Sequence, residues 1–106
     1  MGKELNQHQQ RQIQIELPDA VAEGIYANLA VITHSTSEFV MDFARIVPGS
    51  PRAKVQGRII MTPVNAKLLQ KTLEDNIKKF EDKFGEIKTP DKPLQSGGNI
   101  GFQSEI

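Results

Sequence analysis

The side chains best suited to chemistry in this 106-residue sequence are a histidine, a run of hydroxyls and a set of cations. His34 precedes Ser35–Ser37 and lies near Glu38 in the sequence. Histidine is a common general base and metal ligand, but either role needs convergent partners. The sequence offers no third group, no Gly-x-Ser-x-Gly motif and no cysteine. We therefore predict no catalytic residue, no metal and no cofactor, and interpret Ser35–Ser37 as turn residues.

The cations are concentrated in one segment of a chain whose net charge is zero. Residues 43–73 contain six basic side chains and no acidic one. In a strand over 53–61, alternation would place Arg52, Lys54 and Arg58 on one side. Such a row could bind phosphates through salt-dependent contacts, so nucleic-acid or polyanion binding is one hypothesis. The alternative interpretation is a solvated strand face paired with acidic neighbours.

Length and composition are those of one ordinary globular domain. Hydrophobic residues make up 38% and charged residues 25% of the chain. No apolar run approaches the roughly 18 residues that a membrane-spanning helix needs, and the N-terminus lacks the apolar core of a secretory signal. With no cysteine for disulfides, the sequence favours a cytoplasmic protein without a membrane segment.

The elements that must position these side chains are strands followed by one helix. Strict alternation over Gln12–Leu17 and β-rich composition elsewhere predict an antiparallel meander of about four strands, and periodic apolar residues predict a C-terminal amphipathic helix. The fold class is therefore α+β. The predicted domain is 12–85, with a flexible arm at 1–11 and a flexible tail at 86–106. The predicted strands cover 12–17, 25–34, 38–47 and 53–61.

The helix has clear boundaries. Thr62 suits the N-cap, Pro63 suits the first helical position, and Gly85 suits the end. Its apolar residues recur at three- and four-residue spacing and form one stripe. We expect this stripe to cover one face of the sheet. Its members are Ala66, Leu69, Leu73, Ile77, Phe80 and Phe84.

The turns predict a strand register. A three-residue turn at Ser35–Ser37 would place His34 opposite Glu38 and Val31 opposite Met41. A turn over residues 48–51 would place Val47 opposite Ala53 and Asp42 opposite Arg58, an attractive cross-strand pair. Under this register the odd-numbered residues form one continuous apolar face.

The other face of the predicted sheet is also apolar, and one helix cannot cover both. A row of Ile32, Val40 and Ile60 would cross three strands, with Tyr26 and Ile46 nearby. Small ordered cores without a disulfide or metal often rely on oligomerisation, and a symmetric dimer is its commonest form. The leading hypothesis is thus a non-enzymatic, self-associating protein-binding or scaffold domain that uses these five residues. The alternative is that the first strand, the turn at 19–23 or the tail covers this face.

A set of short motifs between Ile15 and Ile87 resembles the prokaryotic domain-of-unknown-function family 3467. The resemblance covers about seventy residues and implies the domain without implying an activity. The matching residues are Ala22–Asn28, His34-Ser35, Ser37–Phe39, Asp42-Phe43, Val47–Gly49, Arg58–Ile60, Thr62-Pro63 and Phe84-Gly85.

The order of elements is also similar to that of SecB-type export chaperones, which place antiparallel strands before a helix. That likeness is one of topology and not of motifs. It implies dimers or tetramers with apolar grooves and a chaperone-like function, and it assigns no binding residue.

Overall fold

The computed structural model describes residues 12–90 and 102–103, so the predicted arm at 1–11 and most of the predicted tail lie outside the described residues. The described part contains two helices and four strands. In chain order these are α1 (Asp19–Ala22), β1 (Leu29–His34), β2 (Phe39–Arg45), β3 (Lys54–Met61), α2 (Pro63–Phe84) and β4 (Phe102–Gln103).

The strands form one sheet in the order β3-β2-β1-β4. The first three strands are an antiparallel meander, and the α+β class predicted from the sequence is confirmed. β4 is two residues long and pairs in parallel with β1, with Phe102 opposite Ala30. The sequence did not predict β4. The predicted strand at Gln12–Leu17 is wrong for the single chain, since this segment has no strand pairing.

A short helical turn precedes β1. Its hydrogen bonds run from the backbone N–H groups of Val21 and Ala22 to the Pro18 carbonyl. Gly24 ends the turn at a φ of 81°, a conformation that favours glycine. Pro18 occupies the N-cap position of this turn, and Asp19 is the first helical residue.

The hairpin between β1 and β2 is one residue longer than predicted. His34 pairs with Phe39, which leaves Ser35–Glu38 as a four-residue loop. The Ser35 hydroxyl accepts hydrogen bonds from the backbone N–H groups of Ser37 and Glu38, so Glu38 belongs to the loop. The predicted pair of His34 with Glu38 is therefore wrong. A one-residue slip moves every β1 side chain to the other side of the sheet.

The β2–β3 register agrees with the prediction up to a β-bulge. Met41 lies opposite Ile59, Asp42 opposite Arg58 and Phe43 opposite Gly57. The ladder then shifts by one, with Ala44 opposite Val55, so that Gln56 is the extra residue on β3. The prediction that Val47 faces Ala53 is wrong because the bulge ends the regular register.

Because opposed residues of neighbouring strands share a side, the register defines two faces of the sheet. The front face consists of Ala30, Ile32, His34, Phe39, Met41, Phe43, Gly57, Ile59 and Met61. The back face consists of Leu29, Val31, Thr33, Val40, Asp42, Ala44, Val55, Arg58 and Ile60.

The core of the described part is small. Only Ala30, Met41 and Ala44 are buried hydrophobic residues there, and all three lie on the central strands β1 and β2. Neither face of the sheet is covered by a second layer within the described residues, since the substantial contacts between elements are those between neighbouring strands.

α2 begins and ends as predicted. The Thr62 hydroxyl accepts a hydrogen bond from the Asn65 N–H, Pro63 is the first helical residue, and Gly85 follows the last one at a φ of 103°. The prediction that α2 covers the sheet is wrong, because α2 has no buried residue. Thr62 is the only residue between β3 and α2 and is extended. Strand-to-helix loops that reverse the chain usually have two to six residues, so the helix continues away from the sheet.

Candidate interaction surface

The apolar stripe of α2 is uncovered in the described structure. Its five large members are between 39% and 66% exposed. Phe80 and Phe84 contact each other, with ring centroids 4.9 Å apart. A helix that buries none of its residues derives little stability from packing, and this holds for α2 in the single chain. The five are Leu69, Leu73, Ile77, Phe80 and Phe84, and together with Ala66 we call them the α2 stripe.

An open cleft lies where the end of the front face meets the start of α2. Phe39, at the end of the front face, shares a cleft of about 290 Å³ with Pro63, Ala66, Lys67 and Gln70 in the first turns of α2. Ala66 belongs to the α2 stripe, so the start of the stripe borders this cleft, beside the polar residues Lys67 and Gln70.

The predicted row of Ile32, Val40 and Ile60 is divided between the two faces of the sheet. Ile32 lies opposite Met41 on the front face, whereas Val40 and Ile60 lie opposite each other on the back face. The one-residue longer hairpin causes this separation. On the back face, the row that does form is Thr33, Val40 and Ile60.

The remaining two residues of that predicted face lie beside the sheet. Tyr26 precedes β1, and its ring lies 5.8 Å from the guanidinium carbon of Arg45, within range of a cation–π contact. Ile46 follows β2, and its backbone is held by the Asn28 side chain. The Asn28 amide nitrogen donates to the Ile46 carbonyl at 3.1 Å, and the Ile46 N–H donates to the Asn28 Oδ1 at 2.9 Å.

The bulge also separates the basic residues. Lys54 lies opposite Arg45, on the same side of the sheet as the front face. Arg58 lies on the back face. Arg52 precedes β3, where its backbone contacts the Ser50 hydroxyl. The prediction that Arg52, Lys54 and Arg58 share one side is therefore wrong, because it assumed unbroken alternation. The described part of β3 has no continuous row of cations for a polyanion.

Arg58 is instead engaged by an acidic neighbour. Its Nε donates to Oδ1 of Asp42 at 2.6 Å, and its Nη2 donates to Oδ2 at 2.9 Å. These hydrogen bonds hold the pKa of the Asp42 carboxyl below its ordinary value of 3.8. They also raise the pKa of Arg58. This two-point geometry confirms the predicted cross-strand pair.

His34 is placed for packing. Its ring stacks on Phe39, its cross-strand partner, with centroids 5.3 Å apart and planes 22° from parallel. Among residues 12–90 and 102–103, no three histidine, aspartate or glutamate side chains converge as metal ligands would. The neighbouring Ser35 hydroxyl serves the turn, as the sequence predicted.

Sequence reasoning assigned the α2 stripe to the core of its own chain and so missed it as a surface. The signal was present in Met61-Thr62-Pro63, where a strand runs into a helix with one residue between them. Proline also restricts the preceding residue to an extended conformation, so Thr62 cannot turn the chain back. In this chain the helix that follows Thr62 is directed away from its own sheet.

No helix in the described residues has the length and apolar character required to cross a membrane. Residues 1–89 match the model of a family described as "Protein of unknown function (DUF3467)". No curated protein and no solved structure matches the chain.

Proposed function

The chain belongs to the DUF3467 family, and we propose that it is a cytoplasmic, non-enzymatic, self-associating domain that binds protein through the α2 stripe and the front face. In this proposal, two copies bury these surfaces between them. The observation that carries it is a long helix with a regular apolar stripe and no buried residue.

The shortage of core supports the proposal. Folded domains retain a net stability of only about 5–15 kcal/mol after large opposing contributions. Within residues 12–90, three buried hydrophobic residues, two of them alanines, supply little of the apolar burial that offsets chain entropy. Small chains without disulfides commonly gain the missing burial by association, and this chain has no cysteine.

The geometry of the stripe favours a sheet as its partner. Its members recur about every 3.6 residues, which keeps the stripe straight along the helix, whereas a coiled coil repeats every 3.5 residues. From Ala66 to Phe84 the stripe is about 27 Å long at 1.5 Å per residue. The eight residues of β3 span about 26 Å, so a helix of one copy can lie along the strands of another.

Two leucines of α2 make a matched test. Leu73 belongs to the α2 stripe and Leu68 lies on the opposite side of the helix, and both are 55% exposed. Size-exclusion chromatography with light scattering should give a wild-type mass of at least twice the chain mass of 11.8 kDa. Leu73→Gln should weaken the dimer, and Leu68→Gln should leave it unchanged.

The expected effect follows from burial. Burying an exposed leucine fully contributes about 1.5–3 kcal/mol, so the half that is exposed here contributes roughly 1 kcal/mol per copy. Two copies lose roughly 2 kcal/mol in Leu73→Gln, which corresponds to a dimer dissociation constant about thirty-fold higher. A monomeric wild-type chain with cooperative unfolding, or equal effects of the two substitutions, would contradict the proposal.

A further inference from the structure

The segment Gln12–Leu17 has the pattern of a strand and no strand partner. Ile13, Ile15 and Leu17 alternate with polar residues, and Ile15 is 94% exposed. This alternation gives the segment one apolar side, which stays exposed to water unless the segment pairs with a sheet. From here on, the arm means Gln12–Leu17, which the structure describes, and not the predicted flexible residues 1–11.

The sheet has a free edge that matches the arm in length and character. β3 is the outermost strand, so its outward backbone groups have no strand partner among the described residues. Open edges invite pairing with another chain. The edge is regular from Gly57 to Met61 and is interrupted at the Gln56 bulge.

We propose that the arm of one copy pairs antiparallel with β3 of a second copy, with Ile15 opposite Ile59. This inference rests on the proposed self-association and adds a second contact to it. In this register Ile13 lies opposite Met61 and Leu17 opposite Gly57. The arm therefore extends the apolar rows of the front face by one strand. Ile25 already lies over Gly57 on this face. Its Cδ1 is 3.6 Å from the position that a Cβ would occupy at Gly57.

The polar side of the arm fits the back face in the same register. Glu16 lies opposite Arg58, whose side chain is 60% exposed. Arginine has five N–H donors, and Asp42 occupies two of them, so donors remain for Glu16. Opposite charges on facing strands stabilise the pairing. A shift of one residue would place an isoleucine or leucine opposite Arg58, and a parallel arrangement would place Glu16 opposite Ile60.

The end of the arm coincides with the end of the regular edge. Pro18 follows Leu17 and would lie opposite Gln56, the extra residue of the bulge. Proline has no N–H to donate to a neighbouring strand and is tolerated where a ladder stops. The register therefore places the proline where no ladder hydrogen bond is required.

The exposed and unpaired state of the arm in the single chain favours a second copy as its partner. Seven residues separate Leu17 from Ile25, and α1 takes four of them at a rise of about 1.5 Å each. Ile25 already lies over Gly57 on the front face. In the single chain the arm does not pair with the β3 edge although Ile25 lies over Gly57, so that edge remains available to the arm of a second copy. A two-fold dimer would repeat the exchange, each copy giving one arm and receiving another.

The absence of cysteine allows a direct test with engineered pairs. Opposed residues of antiparallel strands have Cα atoms about 4.5–5.5 Å apart, within the range of a disulfide. The Ile15→Cys chain is mixed with the Ile59→Cys chain, mildly oxidised and analysed by mass spectrometry. The matched control pairs Ile15→Cys with Val55→Cys, because Val55 is 53% and Ile59 48% exposed but Val55 lies beyond the bulge. The expected result is a disulfide-linked heterodimer with Ile59→Cys and only background linkage with Val55→Cys.

Three results would overturn the inference. The first is no linkage in either mixture, and the second is equal linkage in both. The third is an internal disulfide in the Ile15→Cys/Ile59→Cys double variant that leaves the chain a monomer, which would show pairing within one chain. Light scattering on the same samples separates the two proposals. A dimer without the specific disulfide excludes the arm exchange and leaves self-association standing, whereas a monomer excludes both.

Discussion

Asp42 and Arg58 face each other across β2 and β3 and are joined by two hydrogen bonds, from Nε to Oδ1 at 2.6 Å and from Nη2 to Oδ2 at 2.9 Å. The pair lies two residues from the Gln56 bulge on β3. A one-residue slip of β3 would separate the two side chains, so the pair favours the observed register over the slipped one.

The first prediction concerns the pH dependence of this pair. The pKa of Asp42 is lower in the folded chain than its ordinary value of 3.8, so the folded state favours the ionised carboxylate. The stabilisation is therefore fully present above that ordinary value and is lost as the pH falls through the lower folded pKa. The melting temperatures of wild type and Asp42→Asn should differ at about pH 6. This difference should shrink below about pH 4. A difference in melting temperature that is constant across this range would contradict the assignment.

The second prediction concerns Asn28, whose side chain both donates to and accepts from the Ile46 backbone. Asn28→Ala would leave a partly buried N–H and C=O without these partners, at a cost of about 1–3 kcal/mol. Urea unfolding at fixed protein concentration measures this free energy. Asn76→Ala is the control, since the Asn76 amide donates only to the Thr72 carbonyl within exposed α2. Equal losses of unfolding free energy in the two variants would show that the contact between the Asn28 side chain and the Ile46 backbone does not stabilise the fold.

The third prediction compares two glycines. A Cβ at Gly57 would meet Ile25 Cδ1 at 3.6 Å, an ordinary contact, and no positive φ restricts this position. Gly57→Ala should therefore raise stability by about 0.5–1 kcal/mol, because glycine loses more backbone entropy in a strand. Gly85→Ala should instead lower it by about 1–3 kcal/mol, because Gly85 has a φ of 103°. Thermal unfolding of the two variants should shift in opposite directions, and a shared direction would contradict this reading of the backbone.

Local features of the fold could be predicted because neighbouring residues determine them. The Thr62-Pro63 start and Gly85 end of α2 follow from capping chemistry within one turn. The facing of Asp42 and Arg58 follows from charge complementarity between adjacent strands. The β1–β2 register was missed by one residue because the Ser35 hydroxyl draws Glu38 into the loop, a choice between two turn lengths that strand patterning does not determine.

The candidate surface was predicted less well than the fold. The expectation of an uncovered apolar face came from the sequence, but the residues assigned to it divide between two faces, with Ile32 on the front and Val40 and Ile60 on the back. The basic row failed for a related reason, since the bulge at Gln56 reverses the alternation between Lys54 and Arg58. A single extra residue in a strand has no clear sequence signature, yet it changes the side on which every later residue lies.

The sequence by itself determined the α+β class, the antiparallel meander and the amphipathic helix, though with one strand too many at 12–17, because alternation and helical periodicity record which side of each element avoids water. Only the tertiary structure decided where those apolar sides go. The single residue Thr62 directs α2 away from the sheet, so the stripe that periodicity marks as buried is left open in one chain. The periodicity of α2 indicates an apolar side that is stabilised by burial. Whether the same chain can bury that side depends on the direction of the helix relative to the sheet.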